Sequence, residues 1–305
     1  MSRRTLLVVG GLATIYIVWG STYLGIALAI ETMPPLAMAG VRFLLAGVLL
    51  YAFAGGLRLR PSRTDWTFAL VTGSLLLAVG NGGVSWAQQT VPSGIAALVI
   101  ATIPLWIAVL DRLLFGARLS PVALAGIAVG FAGVAILLDP RGDVDATGGA
   151  VLLVAAAGWS LGTLLTRGGS RSLPPLAAAG MQMLCGGAVL TVAAAVGGEF
   201  GDVRLSTISA TSAAALAYLV LLGSLLAFSA YVWLVRNASV SLVSTYAYVN
   251  PVVAVLLGAA FLDEEVTART LLAGAIVVAA VALIVSARTP APSARPARLA
   301  SARAR

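Results

Sequence analysis

The sequence predicts an all-α membrane protein with ten transmembrane helices, arranged as two inverted repeats of five helices with both termini in the cytoplasm. Three observations predict this fold: the apolar composition, an internal duplication and the distribution of arginine. Of the 305 residues, 60% are hydrophobic and 10% are charged, whereas a soluble protein of this length would carry about 25% charged residues. The apolar residues form long blocks, and the mean hydropathy is +1.02. Such a chain crosses the membrane many times.

An internal duplication relates the two halves of the chain. Residues 34–50 and 174–190 are identical at nine of seventeen positions, at a constant spacing of 140 residues, and Trp19 and Trp159 keep the same spacing. If each copy crosses the membrane an odd number of times, the two copies have opposite orientations. Inverted repeats build many secondary transporters, in which the substrate binds near the midplane between the halves.

Ten apolar segments follow one another along the chain, and each is near the ~20 residues that cross a bilayer at 1.5 Å per residue. They cover residues 5–29, 34–54, 66–88, 94–115, 120–138, 147–167, 174–196, 209–235, 240–262 and 267–286. The first is long enough to span and ends without a small-residue cleavage pattern, so we expect it to remain as a helix. Backbone polar groups in lipid must be satisfied within the segment, which makes every span helical. Five spans fall in each repeat, at 1–140 and 141–288.

Arginine sets the orientation. With the N-terminus in the cytoplasm and the loops assigned alternately, fifteen of the nineteen arginines fall on the cytoplasmic side and three on the far side. Nine of the eleven acidic residues fall on the far side. Loop arginines determine the topology of membrane proteins. A wrong number of spans would mix these groups, so the separation also supports ten.

Composition excludes several functions. The net charge of +8 does not indicate a nucleic-acid partner, because five arginines follow residue 287, where we expect a disordered cytoplasmic tail at 289–305. The chain has no His, and its single Cys185 lies within an apolar block, so we expect no metal, no disulfide and no cofactor. An intramembrane protease would need His or two mid-membrane acids, so we expect no enzyme.

An ordered set of short motifs points to one family. They are Trp19-Gly20-Ser21, its echo Trp159-Ser160, the Pro-Pro-Leu start and Arg42 of the second helix, Pro104, Pro251, and the junction from Glu265 to Gly274. This order resembles the drug/metabolite transporter superfamily, specifically the ten-helix EamA-type exporters, over residues 1–288. The first junction carries Ala117 where that family often has Glu. The resemblance implies export of amino acids, related metabolites or drugs across a bacterial inner membrane.

Arg42 is the only charge well inside a predicted span. It lies eight residues past Pro34, which is roughly 12 Å along a helix. A charge there costs at least ~2.5 kcal/mol, so it should face the protein interior or a water-filled cavity. Arg42 then either binds a substrate carboxylate through a bidentate hydrogen bond or has a structural role. Its repeat mate is the neutral Gln182, which we expect to line the cavity on the cytoplasmic side of the midplane.

Mid-helix prolines at corresponding positions of two repeats are the best pointer to a transporter's binding site. Pro104 and Pro251 lie in the middle of the fourth and ninth spans, and we expect both to act as hinges. The polar and aromatic residues around them are predicted to line the cavity, with bundle shaping as the alternative. These residues are Thr102, Trp106, Tyr246, Tyr248 and Asn250.

Three other helices contribute candidates. Asn81 lies deep in the third span and either lines the cavity or ties two helices together. Trp19 and Ser21 in the first span, and Trp159 in the sixth, complete the predicted lining. The glycines of the fifth span, Gly126 and Gly130 among them, suit packing against the tenth helix, so we expect a monomer, with dimerisation as the alternative.

The sequence therefore predicts a secondary transporter that exports amino acids or related metabolites by alternating access around a midplane cavity. The main alternative is an exporter of drugs or cationic compounds. A channel is a weaker alternative, because a channel would usually show charge rings or a carbonyl filter. No Asp or Glu lies at mid-depth in any span, so a proton relay has no obvious carrier. We expect facilitated diffusion, or coupling through a peripheral acid such as Glu265.

Overall fold

The computed structural model describes residues 2–138, 144–166, 173–202 and 205–287, and this part of the chain is helical without any strand. Each of the ten predicted spans corresponds to a helix. They are α1 (Arg3–Ile30), α2 (Pro35–Phe53), α3 (Arg63–Ala87), α4 (Ser93–Phe115), α5 (Pro121–Leu137), α6 (Ala146–Thr166), α7 (Pro175–Val196), α8 (Ala210–Asn237), α9 (Tyr246–Phe261) and α10 (Ala268–Ala287). Eight are long and apolar enough to cross a membrane, and the apolar α5 and α9 are shorter. The predicted fold class is confirmed.

The orientation of the termini stays a prediction, and part of its basis lies outside the described residues. The predicted tail at 289–305 lies there, as do Arg141, Arg167, Arg171 and Arg204 of the loops. Below, the side of the bundle on which α1 begins is called the terminus side, and the opposite side is called the far side.

Local sequence explains where the helices begin. Pro occupies the first helical position of α2, α5 and α7, where its missing N–H has no helical partner to lose. Ser62 caps α3 in a reciprocal capping box with Asp65, and Ser120 and Ser209 cap α5 and α8 through their hydroxyls. These caps satisfy backbone donors that would otherwise stay unpaired at a membrane boundary.

The packing of the ten helices follows a pseudo-twofold relation between the repeats. Three helices of the first repeat pack on their own repeat mates: α2 on α7, α4 on α9 and α5 on α10. Most of the other contacts occur in matched pairs: α1 packs on α8 and α9 as α6 packs on α3 and α4. Only an exchange of the two repeats generates this pattern, so the duplication in the sequence is also present in the fold.

The most extensive helix contact is that of α2 with α7. A Cβ at Gly180 would lie 2.7 Å from the backbone nitrogen of Tyr51, and one at Gly187 would lie 2.8 Å from that of Leu44. Without hydrophobic driving force between helices in lipid, small residues allow the close backbone contact that holds them together. The repeated Gly of the duplicated segment therefore forms the central contact between the halves.

Irregular helical turns occur at mid-membrane. The middle of α3 (Ser74–Gly82) and the middle of its repeat mate α8 (Leu219–Leu226) are π-helical, a feature that is frequent at functional sites. The α4 helix breaks at Ala101 and Thr102, directly before Pro104. Pro251, in contrast, lies within the continuous α9. The two prolines predicted as hinges thus occupy different local structures.

Candidate functional site

A crevice of about 380 Å³ opens on the terminus side, between α3, α6, α7 and α8. Its mouth carries Asp65 and Arg236, and its walls are mostly apolar. Gln182, Phe228 and Tyr231 line its deeper part. An apolar cavity with a few convergent polar groups is the usual form of a small-molecule site.

Two carboxylates bind helix N-termini on the far side. Glu264 accepts hydrogen bonds from the backbone nitrogens of Ser93 (2.6 Å) and Gly94 (3.0 Å), the first residues of α4. Glu199 accepts from those of Leu36 (3.3 Å) and Ala37 (2.8 Å) at the start of α2. A carboxylate at a helix N-terminus satisfies free donors and interacts favourably with the helix dipole. Glu199 follows α7 and binds the start of its mate α2, and Glu264 follows α9 and binds the start of its mate α4. Each carboxylate thus links the two repeats, and the two contacts are called clasps below.

Arg42 is buried between α2 and α8, 5% exposed. Its Nε donates to Ser224 Oγ at 3.1 Å, and its guanidinium carbon lies 4.7 Å from the ring centroid of Phe43. Among the described residues no carboxylate pairs with Arg42, and its two terminal nitrogens have no hydrogen-bond partner. Ser224 precedes Phe228 of the crevice by four residues, about 6 Å along a helix. An uncompensated cation therefore lies one helical turn beyond the crevice.

Gln182, the mate of Arg42, lies in the crevice wall. Its Nε2 donates to Thr72 Oγ1 at 2.9 Å. In each repeat the residue at this position of the second helix thus binds a hydroxyl on the third helix of the other repeat. The pseudo-twofold relation of the fold holds at the site, but one side carries a charge and the other does not.

Three aromatic rings, called here the aromatic cluster, lie beside Arg42. Trp19 contacts Tyr231 and Tyr246, each at 5.2 Å between ring centroids, and the two tyrosines are 6.0 Å apart. Trp19 Nε1 donates to the carbonyl of Gly223 at 3.2 Å, next to Ser224. The cluster therefore joins α1, α8 and α9 at the depth of the buried cation.

Hydroxyls and amides surround the aromatic cluster. Ser21 Oγ is 2.5 Å from the hydroxyl of Tyr218, and the Tyr16 hydroxyl bonds Thr245 Oγ1. The buried Asn250 side chain faces the carbonyls of Tyr16 and Tyr246, to which its amide nitrogen donates in the favourable orientation. These bonds hold α9 and α8 against α1, so the polar stretch before Pro251 fixes helix positions as well as facing the interior.

Other predicted residues lie elsewhere. Trp106 contacts Phe131 of α5 at 5.1 Å, Tyr248 packs on the core around Leu105, and the Thr102 hydroxyl bonds its own helix. Trp159 packs on Leu77 and its neighbours, where α6 crosses α3. Asn81 is half-buried in the π-helical part of α3 and has no hydrogen-bond partner among the described residues. The predicted lining thus separates into a group around Arg42 and the aromatic cluster, a second group along α4 and its contacts, and Asn81 with Trp159 where α6 crosses α3.

Four residues of α8 belong to the site but are not in the predicted lining, although the sequence marks Ser224 and Tyr231 as polar or aromatic surface of the eighth span. Ser224, Phe228 and Tyr231 follow one face of α8 at spacings of four and three residues, and Tyr218 directly precedes the π-helical part. The spacing is a recognisable helical signal. It is obscured because a π-helical turn interrupts the regular period.

Comparison with known proteins gives a consistent result. The sequence profile of the EamA-like transporter family matches residues 7–139 and again 146–286. The uncharacterized inner membrane transporter YedA of Escherichia coli (strain K12) is 43% identical over 290 residues, covering 92% of each chain. A probable amino-acid metabolite efflux pump of Salmonella typhimurium is 27% identical, over 87% of this chain and 90% of its own. One crystal structure, 20% identical, superposes with a TM-score of 0.63 over 93% of this chain and 97% of its own, and shows a shared fold.

Proposed function

The chain belongs to the EamA-like transporter family and is a multi-pass inner-membrane transporter, and on that premise we propose that it exports amino acids or related carboxylate-bearing metabolites. Transport proceeds by alternating access around the interior site between α1, α2, α8 and α9. A relative is named a probable amino-acid metabolite efflux pump, which agrees with this substrate class.

The observation that carries the proposal is the buried, unpaired guanidinium of Arg42. A cation at mid-membrane costs ~2.5–3.5 kcal/mol on insertion scales, and most such charges are compensated by a partner. Here Ser224 holds Nε and orients the side chain, which leaves the two terminal nitrogens for an anion. A carboxylate fits this planar pair of donors in bidentate fashion.

The aromatic cluster selects for an apolar side chain. Trp19 and Tyr246 contact each other beside the carbonyl of Gly223, one residue from Ser224. A substrate whose carboxylate meets Arg42 therefore presents its other end to these aromatic rings. Amino acids with apolar or aromatic side chains combine these two properties.

The crevice defines one end of the cycle. The substrate enters from the terminus side, which the arginine distribution predicts to be cytoplasmic, while the Glu199 and Glu264 clasps keep the far side closed. Rocking of the repeats about their pseudo-twofold axis then closes the crevice and opens the far side. Because no acid lies at mid-depth in the spans, we propose that this exchange is facilitative.

Transport in liposomes tests the proposal. We expect purified protein to carry radiolabelled phenylalanine in counterflow without a pH gradient, and phenylalanine amide, which lacks the carboxylate, to compete poorly. Arg42→Gln should lower kcat/KM for phenylalanine at least about tenfold, because one charge-assisted hydrogen bond contributes ~1.5–3 kcal/mol. Arg60→Gln, at an exposed loop position, is the matched control.

Several results would contradict the proposal. Unchanged transport in a correctly inserted Arg42→Gln protein would make Arg42 structural. Competition by cationic dyes rather than by amino acids would favour a drug exporter, and single-channel conductance would favour a channel. A strict requirement for an imposed pH gradient would exclude the facilitative mechanism while leaving the substrate class intact.

A further inference from the structure

Sequence spacings pair each residue of one repeat with a mate in the other. The first and second helices of the repeats are related by 140 residues, as Trp19 and Trp159 show. The third helices begin at the caps Ser62 and Ser209, and resume regular α-helix after their π-helical parts at Gly83 and Ala227. A residue of α1 or α2 thus has its mate 140 residues later. In the third helix the spacing is 147 residues before the π-helical part and 144 after it, and residues within that part are not paired.

Residues that line the terminus-side crevice have mates in one closed cluster. These spacings give five crevice residues the following mates: Ile26 for Thr166, Met38 for Ala178, Ala215 for Phe68, Ala87 for Tyr231 and Val91 for Val235. All five mates are buried in the same hydrophobic cluster, called here the far-side core. The inverted relation of the repeats places this cluster on the far side, as far from the midplane as the crevice is on the terminus side.

The far-side core contains polar atoms that a permanent core would not leave unpaired. Ser85 Oγ and Gln88 Oε1 are buried without any hydrogen-bond partner among the described residues. Both lie in the last turns of α3, between Val84, Ala87 and Val91 of the cluster. Buried polar atoms are normally satisfied, and an orphan calls for a specific explanation. Exposure to water or substrate in a second conformation provides one.

We propose that α2 around Met38 and Arg42, with the end of α3 and the turn after it (residues 84–91), forms a second substrate station that is occluded in this structure and opens on the far side. The inference rests on the proposed alternating access and adds the identity of the second lining. Arg42 lines this station as Gln182 lines the crevice. The substrate is therefore held by a neutral amide when it enters from the terminus side, and by a guanidinium at the far-side station.

The charge difference gives the two stations different ligand chemistry. A carboxylate gains a charge-assisted contact only at the far-side station, whereas an amine or a neutral compound does not. The class of ligand assigned to that station is thus an apolar carboxylate. At the crevice the same compound is bound through its apolar part and the Gln182 amide.

Cysteine labelling tests the existence of the second station without any substrate. In a Cys185→Ser background, a membrane-impermeant maleimide is applied to membrane vesicles of each orientation carrying Ala87→Cys, Val232→Cys or Ala155→Cys. Ala155 is the matched control, because it is as fully buried as Ala87 in the same cluster, but neither it nor its mate Ile15 lines the crevice.

We expect Ala87→Cys to react from the far side and Val232→Cys from the terminus side, each at least about tenfold faster than Ala155→Cys from either side. Equal rates for Ala87→Cys and Ala155→Cys would overturn the second station. Because the labelling needs no transported compound, this result is separate from any failure to transport amino acids.

Ligand protection tests the assigned charge. We expect 3-phenylpropionate to slow the labelling of Ala87→Cys, and 3-phenylpropylamine to have no such effect. Adding Arg42→Gln should abolish this protection, measured as the ratio of the rates with and without ligand in that same variant, and leave any protection of Val232→Cys in place. Protection that survives Arg42→Gln, or that is equal for the amine, would show that Arg42 does not select the anion.

Discussion

Replacing Glu264 by Gln should open the far side more often. Glu264 holds two backbone N–H groups at the start of α4, from Ser93 and Gly94. Gln is of the same size, but it loses the negative charge and one of the two acceptor oxygens. Its remaining carbonyl oxygen can keep only one of the two hydrogen bonds, so the clasp is weakened without a cavity being created.

The magnitude follows from the number of bonds lost. A hydrogen bond to a charged group contributes ~1.5–3 kcal/mol, and water at the half-buried site replaces part of this. We therefore take ~1.5 kcal/mol for the lost charged bond at Gly94, at the low end of that range. If this bond exists only in the far-closed state, the equilibrium moves about tenfold toward the far-open state.

The assay is the far-side labelling rate of Ala87→Cys, measured with and without Glu264→Gln. Glu265→Gln is the control, because the neighbouring Glu265 is exposed and makes no contact with α4 among the described residues. We expect labelling to become about tenfold faster for Glu264→Gln and to stay unchanged for Glu265→Gln. An unchanged rate for Glu264→Gln would refute the clasp. A parallel rise for Ala155→Cys would indicate general loosening instead.

Two further predictions concern glycines. Gly187→Ala should lower the melting temperature measured by tryptophan fluorescence, because its Cβ would lie 2.8 Å from the Leu44 backbone nitrogen and overpacking costs ~1–3 kcal/mol. Gly10→Ala is the control and should leave the melting temperature unchanged, because a Cβ there would have nothing within 4 Å. Equal melting temperatures for the two variants would contradict the α2–α7 contact. Gly258→Ala would place a methyl group against the Glu264 carboxylate, so it should speed far-side labelling of Ala87→Cys as Glu264→Gln does, and an unchanged rate would argue against the geometry of the clasp.

Much of the fold could be predicted from the sequence, because the bilayer leaves few solutions. Apolar length gives the spans, and the need to satisfy the backbone makes them helical. The duplicated segment around Gly180 and Gly187 predicts mated repeats, and the same residues make close backbone contacts between them. A periodic apolar sequence does not reveal how far each helix is rotated about its axis, and that rotation decides which side chains meet.

The site shows the consequence of that gap. The π-helical turns in α3 and α8 change the angular position of every later residue in those helices. The direction of the face formed by Ser224, Phe228 and Tyr231, relative to the first part of α8, is therefore not evident from a regular period. Trp106 and Tyr248 lie close in sequence to Pro104 and Pro251 but pack on α5 and on the core around Leu105.

The loop after α9 gives a similar case. The sequence singled out Glu265 as a peripheral acid, whereas its neighbour Glu264 forms the clasp. Asp263 adopts a left-handed backbone conformation, with φ 51°, in the turn that follows α9. The turn leaves Glu264 against the N-terminus of α4 and Glu265 exposed. One backbone angle in a loop thus determines which of two adjacent carboxylates has a partner, and residue type alone does not encode it.

A perfectly symmetric pair of inverted repeats would populate its two open states equally, so the observed state must come from differences between mates. Glu264 corresponds to Gly116 at the junction of the first repeat, where Ala117 follows. A clasp of this kind at that junction therefore has no carboxylate, while on the far side two carboxylates hold helix N-termini. This difference favours the far-closed state and leaves the crevice open on the terminus side. A second difference between mates concerns the two proposed stations. The neutral Gln182 lines the open crevice, whereas Arg42 lies beyond Phe228 and is not part of the crevice lining. On the proposed mechanism, a carrier built in this way takes up its substrate where binding is weak and presents the cation only as the far side opens.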